Sequence, residues 1–421
     1  MKVAIIALGS RGDVQPHVAL GVGLRRAGHS VRIVTSSDFG DLVRSHDLEF
    51  CDTGVSTEAI ANEMHDLLEA GNFLKIMTAM GDSARRVAVQ VAANGLEACE
   101  GSDVIVSGLG GLFVGQALAE KLGVPFVQAY LYPFSPTREF PGVLTPVSQT
   151  PLTSWLNAPS HRATQQMLWQ TTRSADAAVR VEVLGLKPST FWGPFAALAG
   201  MDHLSLYGYS EHVIPMPRDW PSHNLVTGYW FLDPSVEWRP PAELVAFLET
   251  GPPPVYVGFG SMGSKNPEAT ADLVLESLQR TGQRGVLSSG WGGLTKSDLP
   301  GSVCMVGSIP HAWLFPRMTA IVHHGGAGTT AAALSAGAPS IVTPVMGDQS
   351  FWARRVSDLG VGPKSVVRRK LTVERLTKAI ETAVSDDAMR ARASSLGEQI
   401  RAEDGIANAV EALEQRFEVA R

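Results

Sequence analysis

The chain has 421 residues, a length that suits two or three domains, or two large α/β ones. Its 35 Lys and Arg against 41 Asp and Glu leave a net charge of −6, which argues against a nucleic-acid-binding protein; 44% hydrophobic and 18% charged residues supply a core and exclude compositional disorder. Cys51, Cys99 and Cys304 are too few and too far apart for a disulfide framework or a zinc site, so a reducing cytoplasm is the expected compartment. The opening apolar run, Val3 to Leu8, is too short for a signal peptide, and no stretch of about 18 uncharged apolar residues predicts a spanning helix. A soluble, mostly parallel α/β protein is expected, with peripheral membrane contact left open.

Residues 2–8 (KVAIIAL) read as a buried strand. The turn Gly9–Asp13 follows, then a helix with Pro16 in its first turn that ends near Ala27, with Gly28 as its cap. VRIVTS (31–36) is the next strand. The same order returns at VIVSG (104–108), a helix around 115–122, Gly123 and FVQAYL (126–131). Residues 132–160 are proline-rich and aromatic and read as a long loop lining a pocket.

In the second half PVYVGFGS (254–261) is a strand ending in a Gly-Ser turn, and a helix follows. GVLSSG (285–290) and VCMVG (303–307) read as strands. AIVHH (320–324) is a strand feeding the loop Gly325–Gly328; a helix closed by Gly337 leads to SIVTPV (340–345). Strands alternating with helices in two blocks predict two doubly wound parallel sheets, with ligands at the carboxyl ends of the strands and in a cleft where the sheets face each other. Residues 210–254 hold nine of the 26 prolines. The expected division is therefore a domain over 1–215, a linker over 216–250, a domain over 251–400, and a C-terminal helix, 401–421, packing back on the first domain.

The chemistry concentrates between Val306 and Gln349. A strand ends in His323-His324; Gly325, Gly326, Ala327 and Gly328 let the backbone approach a ligand; Thr329 and Thr330 open a helix. Unpaired amides and the positive end of the helix dipole make an anion site, and imidazole and hydroxyl groups add donors. Strand alternation sends the two histidines to opposite faces, so one of them faces the ligand. Downstream, Asp348 beside Gln349 can read vicinal sugar hydroxyls, although Asp348 can equally cap a helix. Asp13 has the same two readings, cap or catalytic base. The run Gly108–Gly111 does not complete a dinucleotide-binding pattern, which fails at Phe113. Phe73, Met77, Met80, Tyr132, Phe134 and Trp155 suit a rigid apolar acceptor, each also a plausible core residue.

The segment 306–349 resembles the signature region of the family 1 nucleotide-sugar glycosyltransferases of GT-B fold. Counted without a gap, His324 falls at that family's diphosphate-binding histidine, and Asp348 and Gln349 fall at its sugar-binding acid–glutamine pair. GSRGDVQP (9–16) resembles the start of the sterol glucosyltransferases and of bacterial enzymes that glycosylate antibiotics or lipids, in which the Asp at the place of Asp13 is the general base. FGSMGS (259–264) resembles the loop whose serine, here Ser261, contacts the donor phosphates, and Trp291 lies in SGWGGL, similar to a motif of the same branch. The resemblance covers nearly the whole chain, most weakly over 50–100 and 132–215. It implies a donor side made of Ser10, Gly12, Ser261, Trp291, Ile309, His311, His324, Gly326, Gly328, Thr329, Thr330, Asp348 and Gln349, and an acceptor side including Phe73, Met77, Tyr132, Phe134 and Trp155. Val306 and Ala332 stand where the plant branch has a base-stacking Trp and a ribose-binding Glu, so UDP and TDP both remain candidate nucleotides.

The implied reaction is inverting transfer of a hexose, glucose foremost, from a UDP- or TDP-sugar to a hydroxyl of a sterol, polyketide, macrocycle or similar aglycone. Partial burial is expected to make Asp13 a better base. No cofactor is expected, and no metal, since the chain lacks a DxD triplet and any metal-spaced cluster. Two alternatives use the same scaffold. A nucleotide-sugar epimerase would not need the apolar loop at 130–160, and a non-catalytic sugar-nucleotide-binding protein would not need the acid at position 13.

Overall fold

The computed structural model describes residues 1–57, 59, 73–144, 151–198, 203–260, 267–289 and 299–417, without the side chains of 73–83, 151–153 and 196–198. The chain forms two compact units: Met1–Tyr209 with Met216–Leu232 and Asp404–Arg421, and Ser210–Pro215 with Asp233–Glu403.

The first unit is built on β1 (Lys2–Ile6), β2 (Ser30–Thr35), β3 (Glu49–Asp52), β4 (Val104–Ser107), β5 (Phe126–Tyr130), β6 (Ser205–Tyr207) and β7 (Asn224–Val226). All pair in parallel, in the order β3-β2-β1-β4-β5-β6-β7. The unbroken apolar run of β1 has a simple cause. Val3, Ile5 and Ala7 pack into one core with Val18, Leu20 and Leu24, while Ala4 and Ile6 pack into a second with Ile105 and Leu118. A strand covered on both faces keeps no polar side. The strand order reverses between β1 and β4, which is where an open parallel sheet presents a ligand crevice.

The helix after β1 differs from expectation. It begins at Arg11, so Pro16 sits in its second turn, and Arg11–Asp13 are helical rather than part of the turn. The cause is Ser10, an N-cap whose backbone amide is held by the Asp13 carboxylate; this starts the helix five residues before the proline. The expected linker at 216–250 is also divided. Residues 216–232 belong to the first unit because β7 pairs with β6 and Trp230 and Leu232 enter its core, while 233–250 belong to the second. β6 and β7 have three residues each, too few to show a period in sequence. The helix Gly405–Phe417 lies on Arg11–Arg26, with Ile406 and Val410 over Gly23 and with His29 Nε2 3.0 Å from Glu414.

The second unit holds β8 (Val255–Gly258), β9 (Gly285–Ser288), β10 (Val303–Val306), β11 (Ala320–His323) and β12 (Ser340–Val342), parallel in the order β10-β9-β8-β11-β12. Val255, Val257, Ala320 and Val322 face the helices Pro267–Thr281 and Val373–Ser385; Tyr256 and Ile321 face Phe315 and Ala333 on the other side. β12 stops at Val342, short of the expected 345, where the bonds of Gln349 to the amides of Val345 and Met346 already shape a loop and Pro344 has no amide to donate. The order reverses between β8 and β11, so the loops leaving those strands flank this unit's crevice. No helix among the described residues is long and apolar enough to cross a membrane.

Candidate active site

In the second unit, β11 ends at His323, and His324 opens the loop that follows, so both histidines stand at the carboxyl end of the strand. His323 is fully buried, and its Nδ1 accepts the Gly325 amide at 3.1 Å, which puts the proton of the neutral ring on Nε2. Burial, with His324 and His311 nearby, pushes its pKa down to about 3; burial alone pushes that of His324 down to about 4. Both rings are therefore neutral hydrogen-bonding groups at physiological pH.

The His324 ring is held between two glycines. A Cβ on Gly260, at the exit of β8, would stand 2.8 Å from His324 Cε1, and one on Gly326 would stand 2.6 Å from Nε2. Gly260 also needs its φ of +65°. Gly326 is the N-cap of the helix Ala327–Ala336 and brings no capping side chain. The first backbone bond of that helix is Thr330 N to Gly326 O at 2.9 Å, so the amides of Ala327, Gly328 and Thr329 have no intrahelical acceptor. Beside them three buried polar atoms, His323 Nε2, His324 Nδ1 and Thr330 Oγ1, have no hydrogen-bond partner among the described residues. Buried polar atoms are normally paired, so these donors and amides form a cradle suited to an anionic ligand.

Asp348 precedes the helix Gln349–Asp358 but makes no side-chain cap bond; its Oδ2 accepts from Trp352 Nε1 at 3.0 Å. Gln349 is buried, and its Oε1 accepts the amides of Val345 at 2.7 Å and Met346 at 3.2 Å. The carboxamide oxygen thus shapes the loop after β12, and only Nε2 can serve as a donor to a ligand. The Gln349 backbone lies against Gly325, which joins the loops after β11 and β12. His311 stacks on Phe315 at 4.1 Å, and Ile309 packs into the core beneath it. Ser261 and Trp291 lie outside the described residues.

Sequence reasoning did not single out Arg368. Its guanidinium lies 3.5 Å from the centre of the Phe259 ring, Nη2 reaches Thr270 Oγ1 at 3.3 Å, and burial lowers its pKa to about 10. It places a cation against Phe259, the first residue after β8. Its signal was unreadable because RRK looks like an ordinary surface run.

In the first unit, Asp13 lies in a cleft with Leu8, His17, Leu109, Tyr130 and Tyr132. Its Oδ2 accepts from Ser10 N and Ser10 Oγ, both at 2.8 Å, and the side chain is exposed rather than partly buried as expected, because it sits on the first, open turn of its helix. Gly12, in the same turn, is likewise exposed. His17 is fully inside. Its Nδ1 lies 2.7 Å from Asp13 O and its Nε2 3.3 Å from Ala129 O, so it ties the Asp13 turn to β5. Burial lowers the His17 pKa.

The acceptor candidates separate. Tyr132 lines the Asp13 cleft; Phe134 is buried behind it against Tyr130 and Phe195; Trp155 is 73% exposed on a short 3-10 turn. The side chains of Phe73, Met77 and Met80 lie outside the described residues. The loop 132–144 is fixed by Asp219, which accepts from Thr137 Oγ1 at 2.6 Å and Arg138 N at 2.8 Å, and by Asn157 and Ser160. Among the described residues no three His, Cys, Asp or Glu side chains converge on a metal-binding position.

Two family models match the chain: the glycosyltransferase family 28 N-terminal domain over residues 3–141, and the erythromycin biosynthesis protein CIII-like C-terminal domain over 291–415. Two sterol 3-beta-glucosyltransferases of Arabidopsis thaliana are each 35% identical to it, over 98% and 99% of this chain and 65% and 68% of their own lengths. The sterol 3-beta-glucosyltransferase of Emericella nidulans is 34% identical over all of this chain and 30% of its own. The chain thus spans about two thirds of the plant relatives and under a third of the fungal one. Among solved structures, the glycosyltransferase of kitacinnamycin aligns with a TM-score of 0.69 at 19% identity, covering 99% of both chains. The Streptomyces sp. SF2575 glycosyltransferase SsfS6, complexed with thymidine diphosphate, aligns at 0.63 and 20%, again covering 99% of both.

Proposed function

The chain belongs to the family 1 nucleotide-sugar glycosyltransferases of GT-B fold, and we propose that it moves a hexose from a UDP- or TDP-sugar to a hydroxyl of a hydrophobic acceptor, with inversion at the anomeric carbon. The observation that carries this reading is the cradle at the start of the helix Ala327–Ala336: three unsatisfied buried polar atoms beside three open amides. As the glycosidic bond breaks, charge builds on the leaving diphosphate. Donors fixed in advance around that charge favour the transition state without reorganising, and here they take the part a metal plays elsewhere. His324 and Thr330 donate to the diphosphate, while Asp348 and the Nε2 of Gln349 orient the sugar. The thymidine diphosphate bound by the related SsfS6 supports TDP as one candidate nucleotide.

Asp13 removes the acceptor proton during attack. Its Oδ2 is engaged by Ser10, so Oδ1 is the oxygen that meets the hydroxyl, and His17 fixes the turn that carries it. Tyr132 and the aromatic loop around it form the acceptor wall. The sterol relatives favour a flat polycyclic alcohol as acceptor.

The test is product analysis. UDP-glucose and TDP-glucose are incubated with a panel of sterols, macrocycles and aromatic polyketides, and masses are read. A glycosylated acceptor supports transfer. An epimerised donor supports an epimerase instead, and donor binding with no product supports a binding protein.

A further inference from the structure

Nine large hydrophobic side chains are exposed among the described residues, and five of them fall between 155 and 192: Trp155, Met167, Val181, Phe191 and Trp192. The turn that carries the last two is rigidly built. The Phe191 carbonyl accepts three side-chain bonds from the helix Asn157–Ala178: Trp169 Nε1 at 2.9 Å, Gln170 Nε2 at 3.0 Å and Gln166 Nε2 at 3.1 Å. Gly193, with φ +71°, itself lies against the Trp169 indole, where a Cβ on it would come within 2.6 Å of the ring. The Phe191 and Trp192 rings meet edge to face at 5.2 Å and stand 52% and 65% exposed. A platform of this kind holds two aromatic rings out in solvent, an arrangement that marks an interaction surface.

The surroundings say what covers it. The Arg173 guanidinium lies 5.5 Å from the Phe191 ring centre, and Arg162 is three helical turns earlier on the same face. Both are exposed, and neither has a carboxylate partner among the described residues. Residues 155–192 hold Arg162, Arg173, Arg180 and Lys187 against Asp176 and Glu182, within a chain of net charge −6. The two carboxylates are already engaged, Asp176 by Ser189 and Glu182 by Arg85. An amphipathic Trp and a Phe flanked by arginines match the headgroup layer of an anionic bilayer: the rings enter the interface and the cations meet lipid phosphates.

The patch continues inward. Trp169 meets Phe113 at 5.4 Å, Phe113 meets Phe195 at 5.6 Å, Phe195 meets Phe134 at 5.6 Å, and Phe134 meets Tyr132 at 6.4 Å on the wall of the Asp13 cleft. A series of aromatic rings thus runs from Trp169, which holds the Phe191 carbonyl, to the acceptor side of the same unit.

We propose that the Phe191–Trp192 turn docks this protein on an anionic lipid bilayer, with Arg162 and Arg173 against the lipid phosphates. The docking stands independently of the transferase reading; only its use, presenting membrane-dissolved acceptors to Asp13, rests on that reading.

The full chain is floated with vesicles of phosphatidylcholine alone and of phosphatidylcholine with phosphatidylserine. Salt-sensitive co-flotation with the second, and a blue shift of tryptophan emission, are expected. The pair Phe191→Ala and Trp192→Ala lowers the partition coefficient about tenfold or more, and Arg162→Ala and Arg173→Ala about fivefold each. Circular dichroism and calorimetric TDP affinity, a property of the other unit, stay unchanged in every variant. Failure of the wild-type chain to bind either UDP or TDP would count against the transferase reading and leave the flotation result standing. Docking is overturned if the wild-type chain does not float, or if the aromatic variant floats equally well. A concentration-dependent dimer lost in that variant, without flotation, overturns it as well, since a second copy would then be the occupant.

Discussion

The Oδ2 atom of Asp13 accepts both the backbone amide and the hydroxyl of Ser10, each at 2.8 Å. One oxygen of this carboxylate thus starts a helix, and the other makes no bond to Ser10 and is the one assigned to the proposed proton transfer. Capping and catalysis, alternatives in the sequence, are compatible in the structure.

Asp13→Asn keeps an oxygen for Ser10 and removes the base. Turnover is expected to fall about 10²–10⁴-fold, the usual worth of general-base catalysis, with TDP affinity unchanged. Wild-type turnover in this variant would end the assignment. Ser10→Ala is expected to lower stability by about 1 kcal/mol, the typical value of an N-cap, and to lower turnover less than Asp13→Asn. Urea titration and steady-state kinetics separate the two effects.

His324 and its glycine neighbours act together. A methyl group at Gly326 would strike Nε2 of the ring. Gly326→Ala and His324→Ala are therefore each expected to weaken TDP binding, and the double variant to be little worse than either alone, because both remove the same donor. Full additivity in calorimetry would show that the helix start and the histidine act separately.

Stability should fall with acid earlier than carboxylate protonation explains. His323 and His324 have folded pKa values of about 3 and about 4, and unfolded imidazole titrates near about 6.5. Between those values the unfolded chain binds protons that the folded chain refuses. The contribution is complete above about pH 6.5 and is lost as pH falls toward the folded values, at up to about 1.4 kcal/mol per unit for each ring. Burial lowers the pKa of His17 and His161 too, which adds in the same direction. Urea midpoints between about pH 6.5 and about 4.5, where most carboxylates stay ionised, measure the slope; a flat profile would contradict it.

Gln349→Ala removes the acceptor that holds the amides of Val345 and Met346. The expected cost is about 1–3 kcal/mol, since two loop donors lose a buried partner. Hydrogen exchange at those two amides should quicken. Unchanged exchange would mean that the loop is held by its own backbone.

Much of this protein was legible locally. Strands buried on both faces must be apolar throughout, so β1, β4, β8 and β11 stand out as unbroken runs, and a histidine pair followed by small residues and two threonines announces a helix start whatever surrounds it. Tertiary structure alone decided the rest, because it depends on atoms brought together from distant parts of the chain. Gly260 and Gly326 clasp His324 from two different loops, and His17 ties Asp13 to Ala129 across the sheet. The same holds for the inward turn of the Gln349 oxygen and for β6 and β7, whose three-residue runs gain meaning only when paired. Periodicity records which face of an element is buried; it carries no record of which partner lies on the other side.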